Sequence, residues 1–221
     1  MSLPPVSLPI FPLTGSLLLP GMWLPLHVFE PRYRNMVEDA WSGDKHIGMV
    51  QPVVPRQDNS PPPDAPPENP EIYPVGCAGV MDQLQRSEDG RYYLQLQGIT
   101  RFRIVRELAP RRGYRCVEAD YAPFAGDAAT PAERDNAQLV EALLRFGKEH
   151  QMAFDPARLH GLPAASLING LSMSLPFAPA EKQALLEAAG LAEREALLLA
   201  LMGMGLGKRP EPGGGAGPPV N

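Results

Sequence analysis

Proline constrains the N-terminal part of this chain more than any other feature. Between Leu8 and Val37 the sequence reads LPIFPLTGSLLLPGMWLPLHVFEPRYRNMV, an apolar stretch broken by Pro9, Pro12, Pro20, Pro25 and Pro31. A proline cannot donate to a β ladder. The segments LPIFPL, SLLLPG and LPLHVF therefore read as short strands at edges or bends, not as the middle of a regular sheet. Pro31 acts differently. At the first turn of a helix its missing N–H costs nothing, so Glu30-Pro31 marks an abrupt change from strand to helix. Tyr33, Met36, Val37, Ala40 and Trp41 then recur at helical spacing on one face, and Gly43 supplies the stop.

Strand patterning continues to about residue 120. Asp89-Gly90 is a turn signal between QLQRS and RYYLQLQ and predicts a hairpin. Tyr93, Gln95 and Gln97 alternate with Leu94 and Leu96, which gives one half-wet face. Gly98 allows a bend before TRFRIVREL, and residues 110–113 turn the chain into YRCVEADY. Short bent strands with one intervening helix suggest a small, partly closed barrel rather than a parallel sheet. Residues 51–71 interrupt the pattern. They are dominated by proline and poor in apolar side chains, which predicts an exposed, mobile loop. They lack the basic anchors that proline-rich docking ligands often carry.

The period changes near residue 125. Thr130-Pro131-Ala132-Glu133 reads as a capping box with proline at the first helical position. Leu139, Val140, Leu143, Leu144 and Phe146 supply a packed side up to about residue 150. Asp155-Pro156 opens a short helix. Residues 164–175 form a third, with Leu167, Ile168, Leu171 and Leu175 on one face. Pro179 opens a fourth, and residues 191–204 a fifth. Helices this short are marginal alone, so their apolar stripes require one another. The expected division is residues 1–124, β-rich, and 125–205, helical, with 206–221 a disordered tail.

Composition narrows the function. Of 221 residues, 44% are hydrophobic, an ordinary globular value. No uninterrupted apolar run reaches the roughly 18 residues a membrane span needs, and the N-terminus lacks the pattern of a signal peptide. A cytoplasmic location is the default expectation. The net charge of −5 argues against general nucleic-acid binding. The local distribution points the other way: residues 86–115 hold eight arginines against Glu88, Asp89 and Glu107. A solvated sheet face is the plain reading of that excess. Cys77 and Cys116 lie in apolar strand contexts. A disulfide across their loop of ~40 residues would add about 4 kcal/mol, but a reducing cytoplasm favours buried free thiols.

Catalytic patterns are sparse. His27, His46, His150 and His160 are scattered, and His27 reads as a structural residue with a satisfied ring. No metal-ligand spacing and no nucleophile elbow stand out. Gly203-Met204-Gly205-Leu206-Gly207-Lys208 imitates a phosphate loop. It follows a helix instead of a strand, its spacing is wrong, and Arg209 stands where Ser or Thr belongs. No cofactor is expected.

The order of elements around PLHVFEPRYRNMV resembles the start of the Lon protease N-terminal domain, the substrate-binding module of that ATP-dependent protease. The module is also found in cereblon and in small stand-alone bacterial proteins. Further likeness follows. Ile47-Gly48-Met49-Val50 is similar to the family's next strand, and residues 73–80 to its Gly-containing central strand. Residues 89–104, with Gly98 and then Arg101-Phe102, resemble its hairpin and the strand after it. LPFAPAEKQALLE at 175–187 resembles the helical half of the stand-alone members. The resemblance covers most of residues 8–203. It implies an α+β fold: a bent antiparallel PUA-like pseudobarrel with one inserted helix, followed by a C-terminal helical bundle.

What the resemblance implies about function is a non-catalytic module that recognises unfolded or partly exposed polypeptides, with a separate Lon protease as a further candidate partner. The family's ATPase and protease motifs have no counterpart here. Strand parity makes Trp23 the candidate polypeptide contact. If Leu24, Leu26 and Val28 face the core, Trp23 faces solvent; the alternative packs it under the helices. Glu30, Pro31, Arg32, Tyr33, Arg101 and Phe102 form a candidate structural motif, with Arg32 or Arg101 the expected partner of Glu30 in the seam. The competing function is RNA binding, since PUA-like barrels often carry it. Its candidate contacts are Arg101, Arg103 and Arg115, with Phe102 and Tyr114 interleaved.

Overall fold

The computed structural model describes residues 4–53, 70–128 and 134–205. Strands β1 (Ser7–Pro12) and β2 (Trp23–Val28) precede helix α1 (Pro31–Ser42). Strands β3 (His46–Val50), β4 (Val75–Arg86), β5 (Tyr92–Arg111) and β6 (Tyr114–Asp120) follow. A short 3-10 segment, Ala122–Ala128, leads to the helices α2 (Ala137–Glu149), α3 (Pro156–His160), α4 (Ala164–Ser174), α5 (Pro179–Glu187) and α6 (Leu191–Gly205). A sheet followed by helices is the α+β class that the change of period predicts.

The sheet closes on itself because β5 is long enough to serve three partners. It pairs with β2 through residues 92–97, with β4 through 92–103 and with β6 through 103–111. The strand order is β2-β5-β4-β3-β1-β6, and the β5–β6 pairing joins the far end back to β5. Five strands thus form a circuit, and β2 pairs with β5 alone. All ladders are antiparallel except the parallel pairing of β1 with β3. Register shifts at Ala78/Gly79 and Ile104/Arg106 supply bends that closure needs.

Every strand of the circuit contributes to one small core. Leu8 and Ile10 of β1, Val50 of β3, Ala78 of β4, Phe102 of β5, and Val117 and Ala119 of β6 pack together. Phe102 is fully buried at its centre. A Cβ at Gly76 would come within 2.7 Å of the Phe102 ring, so that ring depends on the missing side chain. A second cluster lies on the other side of the sheet, where Tyr33, Met36, Val37 and Ala40 of α1 are buried with Phe11, Leu26, Val28, Leu94 and Leu96. Burying Met36 and Val37 completely contributes about 1.5–3 kcal/mol each. The helices form a third cluster built on Leu139, Leu143, Leu167, Ile168 and Leu198.

Several expectations need correction. Residues 16–21 are not a strand. Leu17, Leu18 and Leu19 are all buried, whereas a strand would alternate them between two faces. They form a plug between the sheet and the helices, held by Lys182 Nζ on the Gly15 carbonyl (2.9 Å) and Asn169 Nδ2 on the Pro20 carbonyl (3.3 Å). β1 accommodates Pro9 and Pro12 as expected of a strand at an edge or bend: its first half pairs with β6 and its second half with β3, so each half has one side unpaired among the described residues. The proline-rich segment is pinned at both ends. Val53 N–H donates to Glu71 O and Tyr73 N–H to Gln51 O, and Gln51 is buried against Gln183 (3.2 Å). The rest of that loop, the capping box at 130–133 and the tail from 206 lie outside the described residues. The helix starts at 156, 164, 179 and 191 fall where proline and periodicity put them, and Asp155 caps Ala157 N–H at 3.0 Å. Cys77 and Cys116 are buried free thiols.

Gly98 is where plug and sheet meet. Its N–H donates to Met22 O (2.8 Å) and its carbonyl accepts from Gly21 N–H (2.9 Å). A Cβ there would overlap the Leu19 carbonyl, which is backbone and cannot step aside. Gly98→Val is expected to lower the unfolding free energy by about 3 kcal/mol, read from the urea midpoint. Gly203→Ala, in an open stretch of α6 where a Cβ meets nothing, is expected to raise it by about 0.5–1 kcal/mol.

Candidate functional site

Strand β2 presents its two faces to different worlds. Leu26 and Val28 point into the core, Leu24 is half-buried, and Trp23, Pro25 and His27 point outward. Parity alone produces this, since Leu26 and Val28 can be covered only if the odd positions are not. The neighbouring strand matches it in register: Trp23 lies opposite Gln97, Pro25 opposite Gln95 and His27 opposite Tyr93. The outcome is an aromatic stripe on an edge strand. Trp23 is 44% exposed, Tyr93 48% and Phe29 56%. His27 stacks on Tyr93, with centroids 4.4 Å apart and planes 3° from parallel, and leans toward Phe29 at 5.8 Å. His27 is therefore a surface residue whose ring is engaged by Tyr93. Trp23 sits at the surface and not under the helices. Beside it a shallow hollow of about 320 Å³ is lined by Leu17, Met22, Leu24, Gly170 and Met173.

A second concavity opens at the Trp23 end of β2. This cleft of about 560 Å³ lies between β5, the 3-10 segment, α4 and the α5–α6 turn. Three charged side chains line it: Arg101, Asp127 and Arg194. Arg101, 3% exposed, holds Asp127 through Nη2 (2.7 Å) and Nε (2.9 Å), while Nη1 donates to the carbonyls of Leu186 and Ala188. Its backbone N–H also reaches Asp127 (2.9 Å), and Phe124 stacks on the guanidinium at 4.6 Å. Arg194, on the buried face of α6 with Leu198, Leu201 and Met202, donates to Leu185 O and to Asn169 Oδ1, each at 2.8 Å. Burial, with Arg101 nearby, pulls its pKa down to about 10.

The candidate structural motif divides into two places. Pro31 opens α1, and Glu30 pairs with Arg32 at 2.9 Å. Arg32 covers the ring of Tyr33 at 4.7 Å, and Tyr33 packs on Phe11 at 4.4 Å. Burial pushes the Tyr33 phenol up, against the opposing pull of Arg32. Arg101 is not a partner of Glu30; β5 carries it to the cleft, and Phe102, its neighbour, points into the closed core.

The arginine-rich strands do not make a nucleic-acid surface. Arg101 is buried. Arg115 bonds Glu107 and the Pro70 carbonyl (2.7 Å). Arg91, Arg106 and Arg112 pair with Asp89, Glu118 and Asp39. Arg103 is exposed on β5. Phosphate binding works by neutralisation, and protein carboxylates already take most of this charge. What the sequence reading missed is the cleft. Its signal was available in Arg194, which shares the apolar face of α6 at i, i+4, i+7 and i+8.

Comparison with known proteins gives one result throughout. A family model described as the ATP-dependent protease La (LON) substrate-binding domain matches residues 7–203. A Lon protease of Flavobacterium johnsoniae is 28% identical over 211 residues, covering 92% of this chain and 25% of that protein. A Lon protease of Paraburkholderia phytofirmans is 29% identical over 203 residues, covering 87% and 24%. The crystal structure of a Lon N-terminal domain protein from Xanthomonas campestris aligns with a TM-score of 0.58 at 25% identity, over 88% of this chain and 97% of that one. The chain thus spans about a quarter of the length of those two proteases. No described helix is long and apolar enough to cross a membrane.

The Arg101–Asp127 pair generates a stability prediction. Asp127→Ala leaves a buried guanidinium without its carboxylate and is expected to cost about 3–5 kcal/mol in urea unfolding. Glu107→Ala, which removes the outer, more exposed partner of Arg115, is expected to cost no more than about 1 kcal/mol.

Proposed function

The chain belongs to the LON substrate-binding domain family, and from that premise we propose that it is a non-catalytic module that binds extended or partly unfolded polypeptide along the outer face of β2. The observation that carries this is the aromatic stripe of Trp23, His27 and Phe29, with Tyr93 of β5 beside them, along a strand whose other edge has no partner among the described residues. An extended segment can add its backbone to such an edge while its side chains meet the stripe. Aromatic side chains are the usual anchors of such contacts. A rigid sheet underneath supplies the pre-formed scaffold.

The architecture fits this role. A circuit of five strands with α1 between β2 and β3 accords with the PUA-like pseudobarrel that the resemblance implies. In this reading residues 1–124 carry the contact surface and 125–205 form the helical bundle that buttresses it. The two buried free thiols suit a reducing, cytoplasmic setting.

A single stripe supplies few anchors, so the dissociation constant for an unfolded polypeptide is expected to be micromolar or weaker. Trp23→Ala is expected to weaken binding about tenfold in a fluorescence-anisotropy titration, a loss of roughly 1.4 kcal/mol. Its thermal midpoint should stay within a degree or two of the parent, since an exposed side chain contributes little to the fold. Undiminished binding by a folded Trp23→Ala protein would rule the stripe out.

A further inference from the structure

The cleft beside Trp23 contains a buried donor that the protein itself does not use. Arg194 is 4% exposed, and its Nη2 finds no hydrogen-bond acceptor among the described residues. Its two bonded acceptors, Leu185 O and Asn169 Oδ1, are neutral. The one carboxylate that lines the cleft among the described residues, that of Asp127, is taken by the side chain and backbone N–H of Arg101. Among the described residues, two guanidinium groups and one carboxylate leave a surplus of one positive charge in a largely desolvated place. Buried charges are ordinarily paired. Burial first, and Arg101 beside it second, lower the Arg194 pKa to about 10.

We infer that this cleft is a carboxylate-binding subsite, in which the terminal carboxylate of a polypeptide completes the coordination of Arg194. One unused donor and one surplus charge match a monoanion rather than a phosphate dianion. The walls add apolar surface from Met22, Ile99, Phe124 and Leu191, suited to a final apolar side chain. Position supplies the link to the stripe: Gln97 lines the cleft and is also the ladder partner of Trp23. A chain lying along β2 therefore runs directly to it. The choice of a polypeptide as source rests on the polypeptide-binding reading; the carboxylate chemistry does not.

Two experiments separate those layers. In the first, 15N-labelled protein is titrated with N-acetyl-leucine and with N-acetyl-leucine amide, observing the arginine Nε–H signals. The acid is expected to shift the Arg194 signal at millimolar concentrations, with the amide at least about tenfold weaker, since only the acid offers a charge-assisted bond. Equal responses, or none from either compound, would overturn the subsite whatever happens at β2. In the second, one apolar peptide is compared as the free acid, as the amide, and as the amide ending in aspartate. The free acid is expected to bind about tenfold tighter than the plain amide. Equal tightening by the aspartate amide would move the source from the chain end to an acidic side chain. Binding of N-acetyl-leucine with no binding of any peptide would leave a small-carboxylate site and remove the polypeptide.

Arg194→Gln should erase the acid preference, but its burial puts the fold at risk. Ser166→Glu avoids that risk, because Ser166 is exposed on the cleft wall. It brings a carboxylate to the site from within and is expected to abolish the preference. A folded Ser166→Glu protein that kept the full preference would show that the carboxylate binds elsewhere.

Discussion

The arrangement of this molecule turns on one buried guanidinium. Arg101 leaves β5 and meets the 3-10 segment through Asp127 and the end of α5 through the carbonyls of Leu186 and Ala188. Two parts of the chain, far apart in sequence, are thereby fixed to one point on the sheet. Taking an arginine out of water is costly, and an ion pair offsets that cost only when the remaining donors are also satisfied. Here Nε, Nη1 and Nη2 all have partners, and the ring of Phe124 covers the face. Gln183, bonded to the Val75 carbonyl, ties the helices to the sheet at a further point, and Lys182, bonded to the Gly15 carbonyl, ties them to the plug. The junction between sheet and helices is thus polar and directional, which fixes a single docking geometry where apolar contact alone would allow sliding.

Closure of the sheet has a functional corollary. A circuit of five strands removes exposed edges from most of the sheet, which is how β proteins avoid unwanted pairing. β2 is outside that circuit. It keeps one unpaired side, and its outward positions carry aromatic side chains in place of the charges that usually protect an edge. The same strand that lacks protection also ends at the cleft, so the two candidate contact regions are continuous.

Much of this was legible in the sequence because it depends on local rules. Pro31 and the spacing of Tyr33, Met36 and Val37 place α1 to the residue. Asp89-Gly90 places the β4–β5 hairpin, and Asp155-Pro156 and Pro179 place helix starts. The parity of Leu24, Leu26 and Val28 left two places for Trp23, and burial of Leu26 and Val28 selects the outward one. The errors share a cause. Residues 17–19 look like a strand because apolar runs favour that reading, yet their backbone bonds to no ladder and their side chains fill a gap that exists only once the helices have docked. Arg101 looks like part of a basic surface because its neighbours in sequence are arginines.

By itself, then, the sequence determined most of the elements and their order, since periods of 2 and 3.6 and the stereochemistry of proline act over a few residues. Tertiary structure decided which charges are spent and which remain. Five of the eight arginines at 86–115 are paired, with Asp89, Asp39, Glu107, Glu118 and Asp127, while Arg194, on the apolar face of α6, keeps a donor with no acceptor among the described residues. Charge pairing depends on distances across the folded chain, and Asp127 and Arg101 are 26 residues apart before folding brings their atoms within 2.7 Å.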